Sequence, residues 1–475
     1  MRSHEAGEGW ESLEGFLRPR SIAVVGASAD PNKGGHAIVA NLTEYCGEEL
    51  YPVNPRYREI CGIACYRSVE DLPKAVDMAI LFVPAREVPG VIAQCGRKGV
   101  ARVMIQSAGF AETGEAGRIL EQRCVQEARR WGIRLWGPNC MGVVNGRERM
   151  VASFMRPHVW KEILRPGDVS LVVQSGMASA GFLMQVMSEG YFGLSKACSI
   201  GNRCDINECD LLEYFAQDQD TRVVAMYLES VSDPPRFRRA VQRLGKPLVL
   251  LRGGTSPGGA EAARSHTGSL AGDAGVAEGF FKQLGIERAY DFVELMDLAK
   301  ALSSWKGRRG GPKAAVVTFS GAAGIVASDH LARHGMALAG LSPATREMLK
   351  QVFPPWMEPS NPVDIWPAIE KSGRKAAYQT SLRALVEDPG VEAIHVHLYV
   401  DRALLEGSWE LLEPLRGWHG RAALWLIGDT RCFRELRERV EPMGIPVYGE
   451  IQRGVRALSL WEGRRWGWHP ADRSV

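Results

Sequence analysis

The strongest constraint in this chain is a unit that recurs from end to end: an uninterrupted apolar run, a stop at glycine or serine, then a helix-length segment. SIAVVGAS (21–28) leads into the helical pattern of HAIVANLTEY, and ELYPVN (49–54), MAILFVP (78–84), RVMIQSAG (102–109) and IRLWGPN (133–139) follow. VSLVVQSG (169–176), KACSIGN (196–202), VVAMYLES (223–230) and PLVLLRGG (247–254) make a second set, while AAVVTFSGAAG (314–324), IHVHLYV (394–400) and ALWLIG (423–428) make a third. Strands without polar alternation are buried on both faces, so each set predicts an open parallel sheet covered by helices. A length of 475 residues agrees with about three domains of ordinary size. The predicted fold class is therefore α/β: a Rossmann-like domain over 1–150, then two flavodoxin-like open parallel-sheet domains over 151–304 and 313–465. The irregular MRPHVWKEILRPGD (155–168) and the glycine-rich, basic WKGRRGGPK (305–313) read as the connections. The three openings share an architecture, which is not an internal repeat.

Apolar residues make up 45% of the chain and charged residues 24%, with a net charge of +3. Lys and Arg are interspersed with Asp and Glu instead of gathered into a stripe, which argues against nucleic acid as a partner. No run reaches the roughly 18 to 20 apolar residues that span a bilayer, and MRSHEAGEGWESLEGF has no signal-peptide core, so the expectation is a cytoplasmic protein without a membrane partner. The ten cysteines lie mostly in apolar runs, where a reduced thiol behaves as a small hydrophobe. Cys61 and Cys65, or Cys204 and Cys209, have no second pair or His cluster to complete a metal site, and none is expected.

Four features carry chemistry. Gly26, Ala27 and Ser28 end the first strand ahead of Gly34 and Gly35, a pattern that lets backbone amides approach a phosphate at a helix N-terminus. A dinucleotide site would need an acidic residue at the end of the next strand, where the chain has Val53, Asn54, Pro55 and Arg56, so nicotinamide redox chemistry is disfavoured. The absence of Gly-Lys-Ser or Gly-Lys-Thr likewise disfavours a triphosphate P-loop and leaves another phosphate-rich ligand, or an ordinary tight turn. Ser175 and Gly176 open a helix directly after a strand, either a phosphate seat or a plain cap. His266 stands in RSHTGS within a stretch of small residues that reads as an accessible loop; neutral imidazole attacks phosphorus and later leaves, so it suits a phosphoryl carrier, although a surface histidine can also be inert. Glu229, at a strand's carboxyl end, is placed to fix the imidazole tautomer and stabilise charge on it, or is a surface carboxylate.

Taken together, SIAVVGAS, YPVNPRY, FVPA, GPNCMGVVN, VVQSGMASA, SIGNRCDIN, MYLESV, RSHTGSLAG and SNPVDI, in that order, resemble the α chain of the succinyl-CoA synthetase and ADP-forming acetyl-CoA synthetase superfamily. The resemblance runs over nearly the whole chain. It implies a coenzyme A site in the first domain, with Gly26, Ala27 and Ser28 near the cofactor's phosphates. Asn54, Pro55, Val83, Pro84, Ser107, Ala108 and Gly109 then fall in the cofactor cleft, and Pro138 and Asn139 where the thioester reacts. It makes His266 the phosphohistidine, Glu229 its supporting carboxylate, and Ser175 with Gly176 the phosphate seat. The implied reaction interconverts acyl-CoA, phosphate and ADP or GDP with carboxylic acid, coenzyme A and ATP or GTP, through acyl phosphate and a swinging phosphohistidine loop. No segment resembles an ATP-grasp domain, so an ATP-grasp β subunit is expected in trans, holding the nucleotide and Mg2+ in a hetero-oligomer. The rival reading is a non-catalytic coenzyme A or acyl-CoA sensor, which would have no use for His266, Glu229 and Ser175 together.

Overall fold

The computed structural model describes residues 13–174, 176–267, 274–407 and 409–461, in two compact units that divide between Ala299 and Lys300. The first unit holds two large sheets. Strands β1 (Ile22–Val25), β2 (Leu50–Val53), β5 (Met78–Leu81), β6 (Arg102–Ile105) and β7 (Arg134–Trp136) form the first, all parallel, in the order β2-β1-β5-β6-β7. Every residue of β1, β2 and β5 is buried, which is why these segments read as continuous apolar runs. A small hairpin, β3 (Glu59–Ile60) with β4 (Ile63–Ala64), stands outside the sheet. Helices Val88–Lys98 and Glu115–Trp131 return the chain and end at Gly99 and Gly132, whose φ values of 83° and 68° are the left-handed caps that only glycine takes without strain. Strand order reverses between β1 and β5, so the ligand crevice of this sheet lies at their carboxyl ends.

The second sheet uses β8 (Gly142–Asn145), β9 (Met150–Ala152), β10 (Pro166–Val173), β11 (Leu194–Ser199), β12 (Val223–Leu228), β13 (Leu248–Arg252) and β14 (Glu287–Ala289), in the order β14-β13-β12-β10-β11-β8-β9. Strands β10 to β14 are parallel, whereas β8 runs antiparallel to β11 and β9 to β8. That hairpin straddles position 151, with β8 wholly before it, yet both its strands belong to the second sheet. One expectation changes here: the small-residue stretch after β13 is helical over Pro257–Thr267, not a loop. Ser256 caps it, its Oγ accepting from the Gly259 amide at 3.1 Å, Pro257 supplies a helical φ at the first position, and Ala260, Glu261, Ala262 and Ala263 are strong helix formers.

In the second unit, β15 (Lys313–Thr318), β16 (Ala337–Leu338), β17 (Val363–Asp364), β18 (Ala393–Val400), β19 (Arg421–Gly428) and β20 (Val447–Tyr448) form a parallel sheet ordered β16-β15-β18-β19-β20, with β17 beside β15. The segment 305–313, read as a linker, is packed into this unit. Trp305 is buried, its indole N–H donates to the Ala422 carbonyl at 3.0 Å, and the Arg421 guanidinium lies 5.1 Å from the ring centroid. A tryptophan that finds both apolar cover and an acceptor anchors the backbone around it more firmly than the glycines beside it loosen it.

Strand β18 carries two fully buried histidines. His397 Nε2 and His395 Nδ1 are 3.0 Å apart, and His397 Nδ1 is 3.0 Å from Thr318 Oγ1. Burial pushes His395 down to about 3, and burial with the neighbouring ring pushes His397 down as well. Both are neutral in the fold but take a proton near pH 6.5 when unfolded, so their contribution is intact above that value and is lost as pH falls toward 3. For His395 alone the loss at pH 5 is about 2 kcal/mol. The urea midpoint of this unit is therefore expected to fall between pH 7.5 and 5, followed by the fluorescence of Trp425, whose ring sits 5.0 Å from that of His397. A His395→Gln, His397→Gln variant should lose that dependence, and a wild-type midpoint that stays level would refute the account.

Candidate active site

The turn after β1 is built for close backbone approach. Gly26 has φ of 90°, and a Cβ there would lie 2.2 Å from the Phe82 carbonyl oxygen; one at Gly35 would lie 2.2 Å from the Gly26 oxygen. The carboxyl ends of β1 and β5 and the start of helix Gly34–Cys46 thus meet with no room for side chains, leaving peptide groups to face a ligand. Ala27 and Ser28 are buried, and Ser28 Oγ accepts from the Asp30 amide at 3.1 Å. Asn54 braces the turn, its Nδ2 donating to the Ala27 carbonyl at 2.7 Å, while Pro55 beside it is exposed.

Next to this turn lies a cavity of about 570 Å³ whose walls include Val83, Pro84, Ser107, Ala108, Asn139 and Gly176. Its walls also include Phe82, Gln106, Cys140, Phe154, Gln174, Gly201 and Asn202, while Gly26, Ala27, Ser28, Asn54, Pro55, Pro138 and Glu229 stand outside the lining. Ser107 Oγ donates to the Val83 carbonyl at 2.6 Å, and the Asn139 amide donates to the Ser107 carbonyl at 2.9 Å, so the ends of β5, β6 and β7 are tied together. Pro138 is buried, and its carbonyl accepts from the Asn202 amide at 2.9 Å. The rings of Phe82 and Phe154, 5.6 Å apart, give the cavity an apolar wall. Burial pushes the Cys140 thiol up to about 12, so it remains protonated and is no nucleophile at neutral pH.

The second sheet brings its own carboxyl edge to the same place. Helix Gly176–Glu189 starts beside the cavity, where a Cβ on Gly176 would be 3.8 Å from the Asn139 carbonyl oxygen; Ser175 lies outside the described residues. Glu229 is 4% exposed, and its amide donates to Gln174 Oε1 at 2.8 Å. Tyr227, two residues earlier on the same strand face, hydrogen-bonds the Glu229 carboxylate; burial and that charge push the phenol up to about 12, so it stays a donor at neutral pH. His266 is the penultimate residue of helix Pro257–Thr267, which packs on the turn Ala111–Thr113; its side chain is outside the described residues.

Sequence reasoning assigned no chemistry to Gln106, Gln174, Tyr227, Asn202 or the two carboxylates behind the last of these, Glu112 and Glu121. Asn202 Nδ2 donates to Glu112 Oε2 at 2.7 Å and to Glu121 Oε2 at 2.8 Å. Burial works against ionising Glu112, yet Asn202 and the amides of Gly109 and Phe110 hold its carboxyl below the ordinary range. At Glu121 burial prevails and pushes the carboxyl above it. Among the described residues, no group of three or more His, Cys, Asp or Glu is gathered as for a metal ion, and no helix is long and apolar enough to cross a membrane.

Three family models match in succession: a CoA binding domain over residues 20–146, a succinyl-CoA ligase like flavodoxin domain over 166–302, and a Ligase-CoA domain over 314–402. Over 443 residues the chain is 35% identical to the acetate–CoA ligase [ADP-forming] II subunit alpha of Pyrococcus furiosus, covering 92% of this chain and 94% of that one. The chain belongs to the ADP-forming acetate–CoA ligase family. A second family member, the acetate–CoA ligase [ADP-forming] I subunit alpha of Pyrococcus furiosus, is 37% identical over 96% of this chain and 98% of its own. Among solved structures, the dinucleotide forming acetyl-coenzyme A synthetase 1 of Ca. Korarchaeum cryptofilum, in complex with phosphate and ADP, superposes with a TM-score of 0.84. It shares 31% identity, with 94% of this chain and 95% of that one covered.

Proposed function

We propose that the chain is the α subunit of an ADP- or GDP-forming acyl-CoA synthetase, working with an ATP-grasp β subunit in a cytoplasmic hetero-oligomer. The observation that carries this reading is the meeting of two carboxyl edges at one cavity: the glycine turn and cleft of the first sheet, and the Gly176 helix start and Glu229 strand end of the second. Coenzyme A fits the first, since the Gly26 and Gly35 cradle presents backbone where a Cβ would collide. Phosphate fits the second, because a helix N-terminus offers unpaired amides and a favourable dipole.

In the energy-conserving direction, a phosphate oxygen attacks the thioester carbonyl, the C–S bond breaks, and coenzyme A leaves as the thiol after taking a proton. The neutral imidazole of His266 then attacks phosphorus, and the P–O bond to the acyl group breaks to release the carboxylate. Glu229, held by its backbone bond to Gln174 and by Tyr227, would accept from the imidazole N–H and balance the charge on the phosphorylated ring. Transfer to ADP or GDP, with Mg2+ on the partner subunit, regenerates the histidine. On this reading helix Pro257–Thr267 leaves the Ala111–Thr113 turn as a unit to reach the second site.

The test is phosphorylation of the purified chain by labelled ATP and Mg2+ with an ATP-grasp β subunit. An acid-labile, base-stable label mapping to the peptide of His266 is the expected result. A label elsewhere, or none with a partner known to be active, would turn the reading toward a coenzyme A sensor.

A further inference from the structure

We infer that Asn202 is the positioning residue that keeps the acyl-phosphate end of the cavity in register with the phosphohistidine helix, an inference that rests on the reaction proposed above. The turn Gly201–Arg203 follows β11 at the sheet's carboxyl edge and is pressed onto the end of β7. Gly201 has φ of 55°, and a Cβ there would lie 2.1 Å from the Pro138 carbonyl oxygen. The Asn202 amide donates to Pro138 at 2.9 Å and the Cys204 amide to Gly137 at 3.0 Å. On the other side, Arg203 pairs with the fully buried Glu208 at 2.9 Å and donates to the carbonyl of Ser230 at 2.9 Å and to its hydroxyl at 2.8 Å, immediately after Glu229.

The Asn202 side chain completes the junction. Both N–H groups of its amide are spent on carboxylates, one on Glu112 and one on Glu121, while its Oδ1 accepts from Asn139 Nδ2 at 3.4 Å. Glu112 in turn accepts from the Gly109 amide at 2.6 Å and the Phe110 amide at 3.0 Å, and Glu121 from the Ala111 amide at 3.3 Å. One carboxamide therefore ties Asn139, a cavity wall, to the 109–113 turn on which helix Pro257–Thr267 rests. The task demands this residue type. Aspartate offers no donor and sets a third carboxylate between two others, and alanine removes one donor from each of two partly buried carboxylates. Displacing the junction moves the cavity wall and the histidine helix relative to each other, and reaction between an imidazole and an acyl phosphate needs approach to about 3–3.5 Å.

Transfer from the nucleotide takes place at the partner's site and does not need this register, which gives the test. With the full chain and its β partner, two half-reactions are followed: labelling of the His266 peptide by ATP with Mg2+, and its labelling by labelled inorganic phosphate with acetyl-CoA. Asn202→Asp should lower labelling from acetyl-CoA and phosphate by about 10²-fold, the usual cost of misplacing reacting groups by an ångström, and leave labelling by ATP unchanged. Adding Glu112→Gln should restore most of the loss. The new carboxamide donates to Asp at 202 while its oxygen still accepts from Gly109 and Phe110. An unaffected acyl half-reaction, both half-reactions falling together, or no recovery in the double variant would each overturn the positioning role. Wild type failing in both half-reactions would instead overturn the functional reading beneath it.

Discussion

His266→Ala removes the label from ATP and stops net synthesis, a loss of more than about 10³-fold, as expected when a covalent nucleophile is deleted without a neighbouring group to replace it. The neighbouring candidates support that size of effect. Cys140 lines the cavity but is held protonated by burial, and Tyr227 is pushed up to about 12 and engaged with Glu229. Coenzyme A binding should be retained, because the Gly26 and Gly35 cradle is formed by β1, β5 and helix Gly34–Cys46, all more than 180 residues before residue 266 in sequence. Binding of coenzyme A by calorimetry, run beside the labelling assay, separates the outcomes. Full turnover by His266→Ala would remove the carrier assignment, and simultaneous loss of coenzyme A binding would point to misfolding.

What the sequence conveyed depended on how strongly each segment's burial constrained its residue types. β1, β2, β5, β10, β12, β13 and β18 are covered on both faces, so their composition alone marks them, and the glycine at 26 marks the turn that follows. The β8–β9 hairpin is as buried as the rest, yet its strands are only four and three residues long, and nothing local tells a strand to leave one sheet's neighbourhood and run antiparallel in another. Helix Pro257–Thr267 and the packed 305–313 segment fail for a shared reason. Gly258 and Gly259, or Gly307, Gly310 and Gly311, carry a strong loop signal, and the features that outweigh it, a Ser256 cap and a buried Trp305, act through hydrogen bonds formed only in the fold. In the site, single groups with distinctive chemistry stand out, such as a histidine among small residues. Asn202, Glu112 and Glu121 do not, because each is an ordinary polar residue until three separate segments bring them within 2.8 Å.

Lys196→Met should be among the most destabilising single changes in the first unit, at about 3–5 kcal/mol, the cost of breaking a buried ion pair and stranding its partner. Lys196 is fully buried on β11, between β10 and β8, and its ammonium donates to Asp218 at 2.7 Å and to Ser195 at 3.3 Å. Burial alone would raise the Asp218 carboxyl, yet the bonds from Lys196 and Thr221 hold it below its ordinary value. Its contribution is therefore present above the unfolded carboxylate range and lost as pH falls through the folded value. Around the pair, Arg18 salt-bridges Asp220 and lies 3.9 Å from Asp218, while the Tyr214 hydroxyl donates to Glu14 at 2.5 Å, so the same knot fastens the residues ahead of β1 onto the second sheet. Removing only the lysine leaves the aspartate charged with its strongest donor gone; adding Asp218→Asn removes that charge as well and should recover a large part of the loss. Urea unfolding of the first unit at neutral pH reads both variants. A Lys196→Met protein within about 1 kcal/mol of wild type would mean that water reaches Asp218, since only a hydrated charge tolerates the loss of its partner so cheaply.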